Sequence, residues 1–269
     1  MTLRLFIIFI MSEIVFSCST NKYATTNKVY KKEVRAFAKQ LREYPLTDSF
    51  PTSSEWVGTI NFNLRKPNFV IIHHTAQNSC EQTLQTFTLK PTQVSAHYVI
   101  CKDGTIHHML NDYLRAWHAG VGNWGNITDV NSSSIGIELD NNGVEVFPEM
   151  QISSLLNLLG ALKNQYNIPV SNFIGHADIA PTRKVDPNVN FPWKLLADNG
   201  FGLWYDTTGV ILPSTFNTLE SLRIVGYNIK DSSAAIQAFK RHFLQTDSST
   251  ILSEDDKKIL FDLAKRSMQ

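Results

Sequence analysis

Two segments far apart in the sequence carry the side chains best suited to metal-assisted hydrolysis. His73 and His74 end a run of four apolar residues, and segment 175–187 is dense in ionisable groups, among them His176 and Asp186. Two imidazoles and one carboxylate are a common ligand set for hydrolytic Zn²⁺, because three protein ligands leave the fourth position open for water. Local spacing does not bring the two segments together, so the ligand set is a hypothesis at this point.

The elements that must position these residues read as an α/β domain. The apolar run before His73 predicts a buried central strand, and the best helix is 147–166, whose apolar residues recur at helical spacing. Further strands are predicted by apolar or alternating patterns, and they cover residues 95–101, 105–110, 134–139 and 172–175. Strands mixed with flanking helices indicate a mixed central β-sheet in a domain that spans residues 67–205.

The remainder of the chain has a different character. Residues 206–269 lack strand signals and predict a small all-helical domain with three helices, at 219–226, 233–244 and 253–266. Residues 18–66 are polar and basic and predict a tether or wrapping arm with a helical stretch near 33–42. Residues 1–17 contain an apolar core that suits a secretion signal, and Cys18 follows it as in a bacterial lipoprotein signal. A plain secretion signal, or a cysteine of no consequence, is the alternative.

Composition excludes several classes of protein. The 25 Lys and Arg residues balance 24 Asp and Glu residues, so sequence-independent binding of nucleic acid is not expected. Three cysteines are too few for a disulfide-built scaffold or a zinc site made of four thiolates. Cys80 and Cys101 could pair in an oxidising compartment or could be two buried thiols, and the sequence leaves both readings open.

Five motifs in order resemble the type 2 family of zinc-dependent N-acetylmuramoyl-L-alanine amidases, which includes amidase-type phage lysozymes and peptidoglycan recognition proteins. The motifs are Ile71-Ile72-His73-His74-Thr75, Ser95-Ala96-His97-Tyr98-Val99-Ile100, Ala116-Trp117-His118-Ala119-Gly120, Ser134-Ile135-Gly136-Ile137-Glu138 and the loop Gly175–Pro187. They cover roughly residues 66–205, and the chain looks most similar to the outer-membrane-anchored branch.

The resemblance implies a role for each matching residue. His73, His176 and Asp186 would be the ligands of one Zn²⁺ per chain, Glu138 the catalytic acid–base, and Lys184 the cation that stabilises the developing oxyanion. Because neighbouring residues of a strand point to opposite faces, His73 and His74 cannot both face the cleft. The motif places the metal ligand at His73, so His74 is expected to be a packed histidine or one that supports the ligands from behind.

Other residues of these motifs have weaker assignments. Trp117 and His118 match a pair that lines the substrate cleft, and a structural hydrogen bond is the alternative for His118. Arg183 is expected in a structural ion pair, Asp178 as a cap or brace of its loop, and His97 as a braced core histidine.

The implied reaction is hydrolysis of the amide between the lactyl group of N-acetylmuramic acid and the L-alanine of the stem peptide. Peptidoglycan or its muropeptides would be the partner of a monomer that Cys18 anchors to the outer membrane, more plausibly facing the periplasm. The C-terminal helices resemble a three-helix peptidoglycan-binding domain, with a structural cap as the alternative. A non-catalytic binding module and a zinc peptidase that cuts within the stem peptide are the competing functions.

Overall fold

The computed structural model describes residues 21–42, 61, 64, 66–245 and 249–269. The chain divides into two compact units, residues 1–62 and 63–269. In the first unit the structure describes one helix, α1 (Ala24–Gln40), which contains most of the helical stretch predicted near 33–42. The predicted signal segment 1–17 and Cys18 lie outside the described residues. None of the helices in the described part of the chain combines the length and apolar content that crossing a membrane requires.

The second unit is built on a five-stranded mixed sheet, as the sequence predicts. Its strands are β1 (Phe69–His74), β2 (Tyr98–Ile100), β3 (Ile106–His108), β4 (Ser134–Leu139) and β5 (Phe173–Gly175). Their spatial order is β3-β2-β4-β1-β5, and every pair is parallel except β2 with β3. The antiparallel pair follows from the Asp103-Gly104 turn between two adjacent strands, where Gly104 takes a positive φ of 85°.

Helices flank the sheet and the loops that follow its strands. They are α2 (Cys80–Thr88), α3 (Glu149–Tyr166), α4 (His176–Ile179) and α5 (Trp193–Asp198). Helix α3 confirms the predicted helix and buries Ile152, Leu155 and Leu159 at helical spacing. Helix α2 was not predicted, although the side chain of Ser79 accepts a hydrogen bond from the amide of Gln82 and so caps its start.

One face of the central strands packs in the core, and the other carries polar side chains. One face packs into the main core together with α3, and from β1 and β4 it contributes Val70, Ile72, Ile135, Ile137 and Leu139. Alternation along β4 then turns Ser134, Gly136 and Glu138 to the opposite face. In the parallel register of β1 with β4, Phe69, Ile71 and His73 are the partners of these three residues. Chemistry-bearing side chains therefore share the face that α3 does not cover.

Three further helices complete the unit: α6 (Thr218–Val225), α7 (Ser232–Phe243) and α8 (Glu254–Ser267). Each starts at a polar cap, and the capping side chains are Asn217, Asp231 and Ser253. These helices have a hydrophobic cluster of their own, centred on Leu222, Phe239, Leu260 and Leu263. They nevertheless belong to the same compact unit as the sheet. The boundary at residue 205 stays a prediction.

Asp178 on α4 connects the helical segment to the sheet domain. Its Oδ1 accepts a hydrogen bond from the hydroxyl of Tyr227 at 2.8 Å, and its Oδ2 lies 2.8 Å from Nδ1 of His242. Oδ2 also accepts from the amide of Gly175 at 2.8 Å, which caps the start of α4. The expectation that Asp178 caps or braces its loop is therefore met, and the brace extends to two residues of the C-terminal helical segment.

Cys80 and Cys101 form a disulfide that ties the start of α2 to the residue after β2. The sequence left this pairing open, and the structure selects it. Helix α2 contributes Thr83, Thr86 and Phe87 to the wall of the cleft that also contains His73. The disulfide therefore anchors one wall of that cleft.

The disulfide should make a measurable contribution to stability. The two cysteines are separated by 21 residues, and closing a loop of that length in the unfolded chain is worth about 3 kcal/mol. We expect a reductant to lower the free energy of unfolding in denaturant titrations by about this amount. The double variant Cys80→Ala/Cys101→Ala should be less stable and insensitive to reductant. A wild-type chain that ignores the reductant while its thiols titrate as free would contradict the pairing.

Candidate active site and metal centre

The carboxyl ends of β1, β4 and β5 bring the predicted site residues to one edge of the sheet. His73 is the register partner of Glu138, and Ile72 is the register partner of Gly175. His176 follows Gly175 directly and starts α4. Parallel strands end on the same side of a sheet, so residues more than 100 positions apart meet here.

Asp186 reaches this edge because its loop closes on itself. The amide of Ala177 donates a hydrogen bond of 2.7 Å to the carbonyl oxygen of Asp186. The amides of Arg183 and Lys184 both donate to the carbonyl oxygen of Ala180, which tightens the turn between. The peptide bond between Asp186 and Pro187 is cis. This closed loop places the Asp186 carboxylate beside the ring of His176.

Three side-chain atoms of His73, His176 and Asp186 form a compact triangle. Nδ1 of His73 lies 2.9 Å from Nδ1 of His176, and Oδ2 of Asp186 lies 3.1 Å and 3.0 Å from these two nitrogens. All three side chains are buried, and only 1% of the surface of His73 is exposed. The structure therefore brings together the ligand set that the sequence left as a hypothesis.

The donor chemistry of this triangle fits a cation. Nε2 of His176 lies 3.0 Å from the carbonyl oxygen of Ala119, which can only accept, so Nε2 carries the proton and Nδ1 of the neutral ring has a lone pair. Two imidazoles and a carboxylate facing one another are the ligand types that Zn²⁺ takes in hydrolytic sites. Tetrahedral ligands about 2.0 Å from a metal are about 3.3 Å apart, so the triangle would open by only about 0.4 Å or less.

Glu138 faces the same cleft without a hydrogen-bond partner for one of its oxygens. Among the described residues, none offers a donor to Oε2, although this atom is buried. Burial, with the nearby Asp186 carboxylate, raises the pKa of Glu138 to about 8, and the charge of Lys184 opposes the rise. A carboxyl group with a pKa near neutrality can both take and give a proton.

Lys184 and Arg183 are neighbours with different surroundings. Lys184 lines the cleft, where its charge acts on both Glu138 and His73. Arg183 donates hydrogen bonds to the carbonyl oxygens of Ala119 at 2.9 Å and Val121 at 2.6 Å. Among the residues that the structure describes, no carboxylate pairs with its guanidinium. The ion pair expected for Arg183 is therefore wrong, because main-chain carbonyls supply its acceptors.

Trp117 and His118 both line the cleft, as the resemblance implies. Trp117 is 53% exposed at its rim, while His118 is 8% exposed and lies deeper. Nδ1 of His118 lies 3.0 Å from Nε2 of His73, and its Nε2 lies 3.2 Å from the hydroxyl of Ser134. The structural hydrogen bond weighed as the alternative for His118 is thus present. Burial lowers the pKa of His118 well below its usual value.

The remaining histidines of the motifs have structural contacts. His74 is buried, and its Nδ1 accepts a hydrogen bond of 3.0 Å from the amide of Asn188, so it is packed and is not part of the triangle. His97 is fully buried: its Nε2 lies 2.9 Å from the carbonyl oxygen of Leu114, and its Nδ1 accepts from the amide of Gly136 at 3.0 Å. Both arrangements agree with the packed roles expected from the sequence.

Sequence analysis missed two polar residues behind the cleft. Ser134 contacts His118, and Oδ1 of Asn131 accepts hydrogen bonds from the amides of His118 and Ala119 at 3.1 Å and 2.9 Å. The alternation of β4 places Ser134 on the same face as Glu138, and this signal could have identified it. Asn131 precedes the strand in a single 3₁₀ turn (Val130–Ser132) and carries no comparable signal.

The buried triangle predicts an unusual titration of His73 in the metal-free chain. Burial, with the neighbouring His176 ring, lowers the pKa of His73 from 6.5 to about 4. A pKa that is lower in the folded than in the unfolded state means that protonation favours unfolding, so this contribution to stability is lost as pH falls from 6.5 through 4. We expect an NMR titration of the His73 ring to show a midpoint near 4. The unfolded chain in urea is the control and should titrate near 6.5, and the same midpoint in the folded protein would contradict the buried, neutral ring.

Comparison with known proteins agrees with this site. Residues 63–189 match the family model described as N-acetylmuramoyl-L-alanine amidase. The N-acetylmuramoyl-L-alanine amidase AmiD of Escherichia coli strain K12 is 34% identical over 209 residues, which cover 66% of this chain and 75% of that protein.

Solved structures extend the similarity to the whole fold. A complex of E. coli AmiD with the substrate anhydro-N-acetylmuramic acid-L-Ala-D-γ-Glu-L-Lys has a TM-score of 0.67 at 28% identity, covering 82% of this chain and 96% of that one. AmpDh3 of Pseudomonas aeruginosa has a TM-score of 0.70 at 25% identity, covering 84% of this chain and all of that one. The matched family model and the extent of the AmiD similarity show that this chain belongs to the N-acetylmuramoyl-L-alanine amidase family.

Proposed function

We propose that the protein hydrolyses the amide bond between the lactyl group of N-acetylmuramic acid and the L-alanine of the stem peptide, with Zn²⁺ as cofactor. The observation that carries the proposal is the buried triangle of His73, His176 and Asp186 beside Glu138, in an open cleft of about 380 Å³. The substrate in the AmiD complex is an anhydromuropeptide, which supports peptidoglycan or its fragments as the substrate class.

His73, His176 and Asp186 would hold one Zn²⁺ per chain. Bound there, Zn²⁺ would supply Lewis-acid chemistry, lowering the pKa of a water and polarising the carbonyl of the scissile amide. The protein's part is to hold the two imidazoles and the ionised carboxylate together at the floor of the cleft. Burial keeps the His73 ring neutral at physiological pH.

Glu138 would move the protons of the reaction. It would accept the proton of the attacking water and deliver it to the leaving nitrogen, which its pKa of about 8 allows in both directions. Glu138 lies on the same sheet face as His73 and is its register partner, so the base stands next to the ligand set. Its Oε2 has no donor among the described residues and is therefore available for this work.

Lys184 and Trp117 would act on the substrate. The ammonium group of Lys184 would stabilise the negative charge that develops on the attacked carbonyl oxygen, since preorganised charge in a desolvated site is worth most there. Trp117, half exposed at the rim of the same cleft, offers an aromatic face to a sugar or peptide. The anchoring through Cys18, the outer-membrane location and glycan binding by α6–α8 remain predictions from the sequence.

Two other functions make different demands on this site. A non-catalytic binding module has no use for a glutamate with a buried carboxyl oxygen that lacks a donor among the described residues, because such burial is costly. A zinc peptidase that cuts within the stem peptide would use the same ligand types and would break a different bond. The identity of the released products separates the two.

The first experiment is to incubate the purified protein with peptidoglycan and, in parallel, with a soluble anhydromuropeptide. We expect intact stem peptides that begin with L-alanine, identified by mass spectrometry, and their release should stop when a zinc chelator is present and resume when Zn²⁺ is restored. His176→Ala is the matched control because it removes one ligand. Cuts only within the stem would favour the peptidase, and binding without release would favour the binding module.

Variants of Glu138 and His176 should distinguish a loss of proton transfer from a loss of zinc binding. Glu138→Gln removes the proton acceptor while it keeps the shape of the side chain, so we expect near-normal zinc content and a rate lowered by about 10²- to 10⁴-fold. His176→Ala should lose zinc and activity together. Zinc content is measured by elemental analysis, and rate by release of stem peptide. A Glu138→Gln variant with near-normal rate would remove Glu138 from the mechanism.

A further inference from the structure

We propose that His118 and Ala119 orient the two metal-ligating histidines through hydrogen bonds, and that His118 is a positioning residue that fixes the tautomer of His73. The inference rests on the proposed zinc site but concerns only hydrogen bonds within this chain. In this proposal His118 acts on the metal ligand His73, whereas the sequence resemblance implies a contact between His118 and the substrate.

The direction of the hydrogen bonds around His118 is set by the carbonyl oxygen of Val130, because a carbonyl oxygen can only accept. The hydroxyl of Ser134 lies 2.6 Å from the carbonyl oxygen of Val130, so this hydroxyl donates its single proton there. Its oxygen can then only accept from the ring of His118, whose Nε2 lies 3.2 Å away. Nε2 of His118 therefore carries a proton.

The contact between His118 and His73 then decides which nitrogen of His73 carries a proton. A neutral imidazole carries one proton, so Nδ1 of His118 is an acceptor, and it lies 3.0 Å from Nε2 of His73. Nε2 of His73 must donate to it, which leaves the lone pair of the neutral His73 ring on Nδ1. Nδ1 is the atom that faces His176 and Asp186.

The adjacent residue does the same for the second ligand. The carbonyl oxygen of Ala119 accepts from Nε2 of His176 at 3.0 Å and from Arg183 at 2.9 Å. Consecutive residues of one segment thus aim both ligand nitrogens, one through a side chain and one through the main chain. Such partners orient metal ligands and raise their basicity.

His118 and Ala119 are themselves held in place by contacts with β4 and with the turn before it. Oδ1 of Asn131 accepts from the amides of His118 and Ala119. The His118 ring occupies the space over Gly136, where a Cβ atom would come within 2.4 Å of the ring. Glycine at this position therefore leaves room for the ring, and the contact with His73 depends on it.

The test uses the whole chain, metal-free and labelled with ¹⁵N at histidine. In long-range ¹H–¹⁵N correlation spectra, assigned with His73→Gln, we expect the proton of His73 on Nε2. His118→Phe removes both ring nitrogens, so protonation of Nδ1 should appear. Zinc affinity, measured by competition with a chromophoric chelator, should fall about 10- to 100-fold in this variant.

Three variants separate positioning from packing. His118→Asn keeps an oxygen near the position of Nδ1 and should recover most of the zinc affinity. Ser134→Ala removes only the hydroxyl that sets the direction, and it should produce a mixture of His73 tautomers with a smaller loss of affinity. His97→Phe is the matched control, because the ring centroid of His97 lies 6.0 Å from that of His118 and its hydrogen bonds reach Leu114 and Gly136 but not His73.

The outcomes are distinguishable. A wild-type His73 ring protonated on Nδ1, or equal losses of zinc affinity in His118→Phe and His97→Phe, would overturn the inference. Unchanged His73 signals in both His118→Phe and Ser134→Ala would do so as well. A wild-type chain that binds no zinc would contradict the proposed function instead, while the tautomer spectra of the metal-free chain would still decide the role of His118.

Discussion

The structure depends on one electrostatic constraint, which is that three hydrogen-bond acceptors converge in a buried place. Two imidazole nitrogens and a carboxylate oxygen lie within 3.1 Å of one another. In neutral rings that carry their protons on Nε2, no proton stands between these three acceptors, and buried acceptors without a donor are costly. The surrounding fold must therefore hold the three atoms against their mutual repulsion.

The fold meets this demand by dividing the sheet into a packed face and a polar face. The core side of β1 and β4 is filled by branched aliphatic side chains against α3, which makes the strands rigid. On the other side, Ser134, Gly136 and Glu138 alternate with that packing, each with a separate task. The Ser134 hydroxyl accepts a hydrogen bond from Nε2 of His118, and Gly136 leaves space for the His118 ring. Glu138 lies beside His73. The strands thus fix the positions of His73 and Glu138, while a hydrogen-bonded loop positions Asp186.

Much of this arrangement was predictable from sequence because it follows from local patterns. The apolar run before His73, the alternation of β4 and the helical spacing of α3 gave these elements to within a few residues. Glu138 and its role came from the resemblance to known amidases, and the alternation of β4 agrees with its position on the cleft face. The resemblance to known amidases supplied the pairing of His73 with segment 175–187.

The rest was not predictable because it depends on contacts between distant residues. Register between β1 and β5, which brings Gly175 beside Ile72, has no local signature. Helices α2, α4 and α5 are too short to show a clear period. The ion pair expected for Arg183 failed because the sequence does not reveal that carbonyls of residues 119 and 121 lie nearer. The resemblance assigned His118 to the substrate cleft, and its contacts with Ser134 and His73 could not be predicted because they arise only in the folded chain.

Asp178 has a consequence for how such a protein can change over evolutionary time. Asp178 lies two residues after His176. Its carboxylate contacts Gly175 in the sheet domain, and it contacts Tyr227 and His242 in the helical segment. A helical segment joined in this way is not an exchangeable module, because replacing it would leave a buried carboxylate unpaired next to His176. Substitutions on the two sides of this contact are therefore expected to be inherited together, so that the C-terminal helices and the chemistry of the cleft share one history.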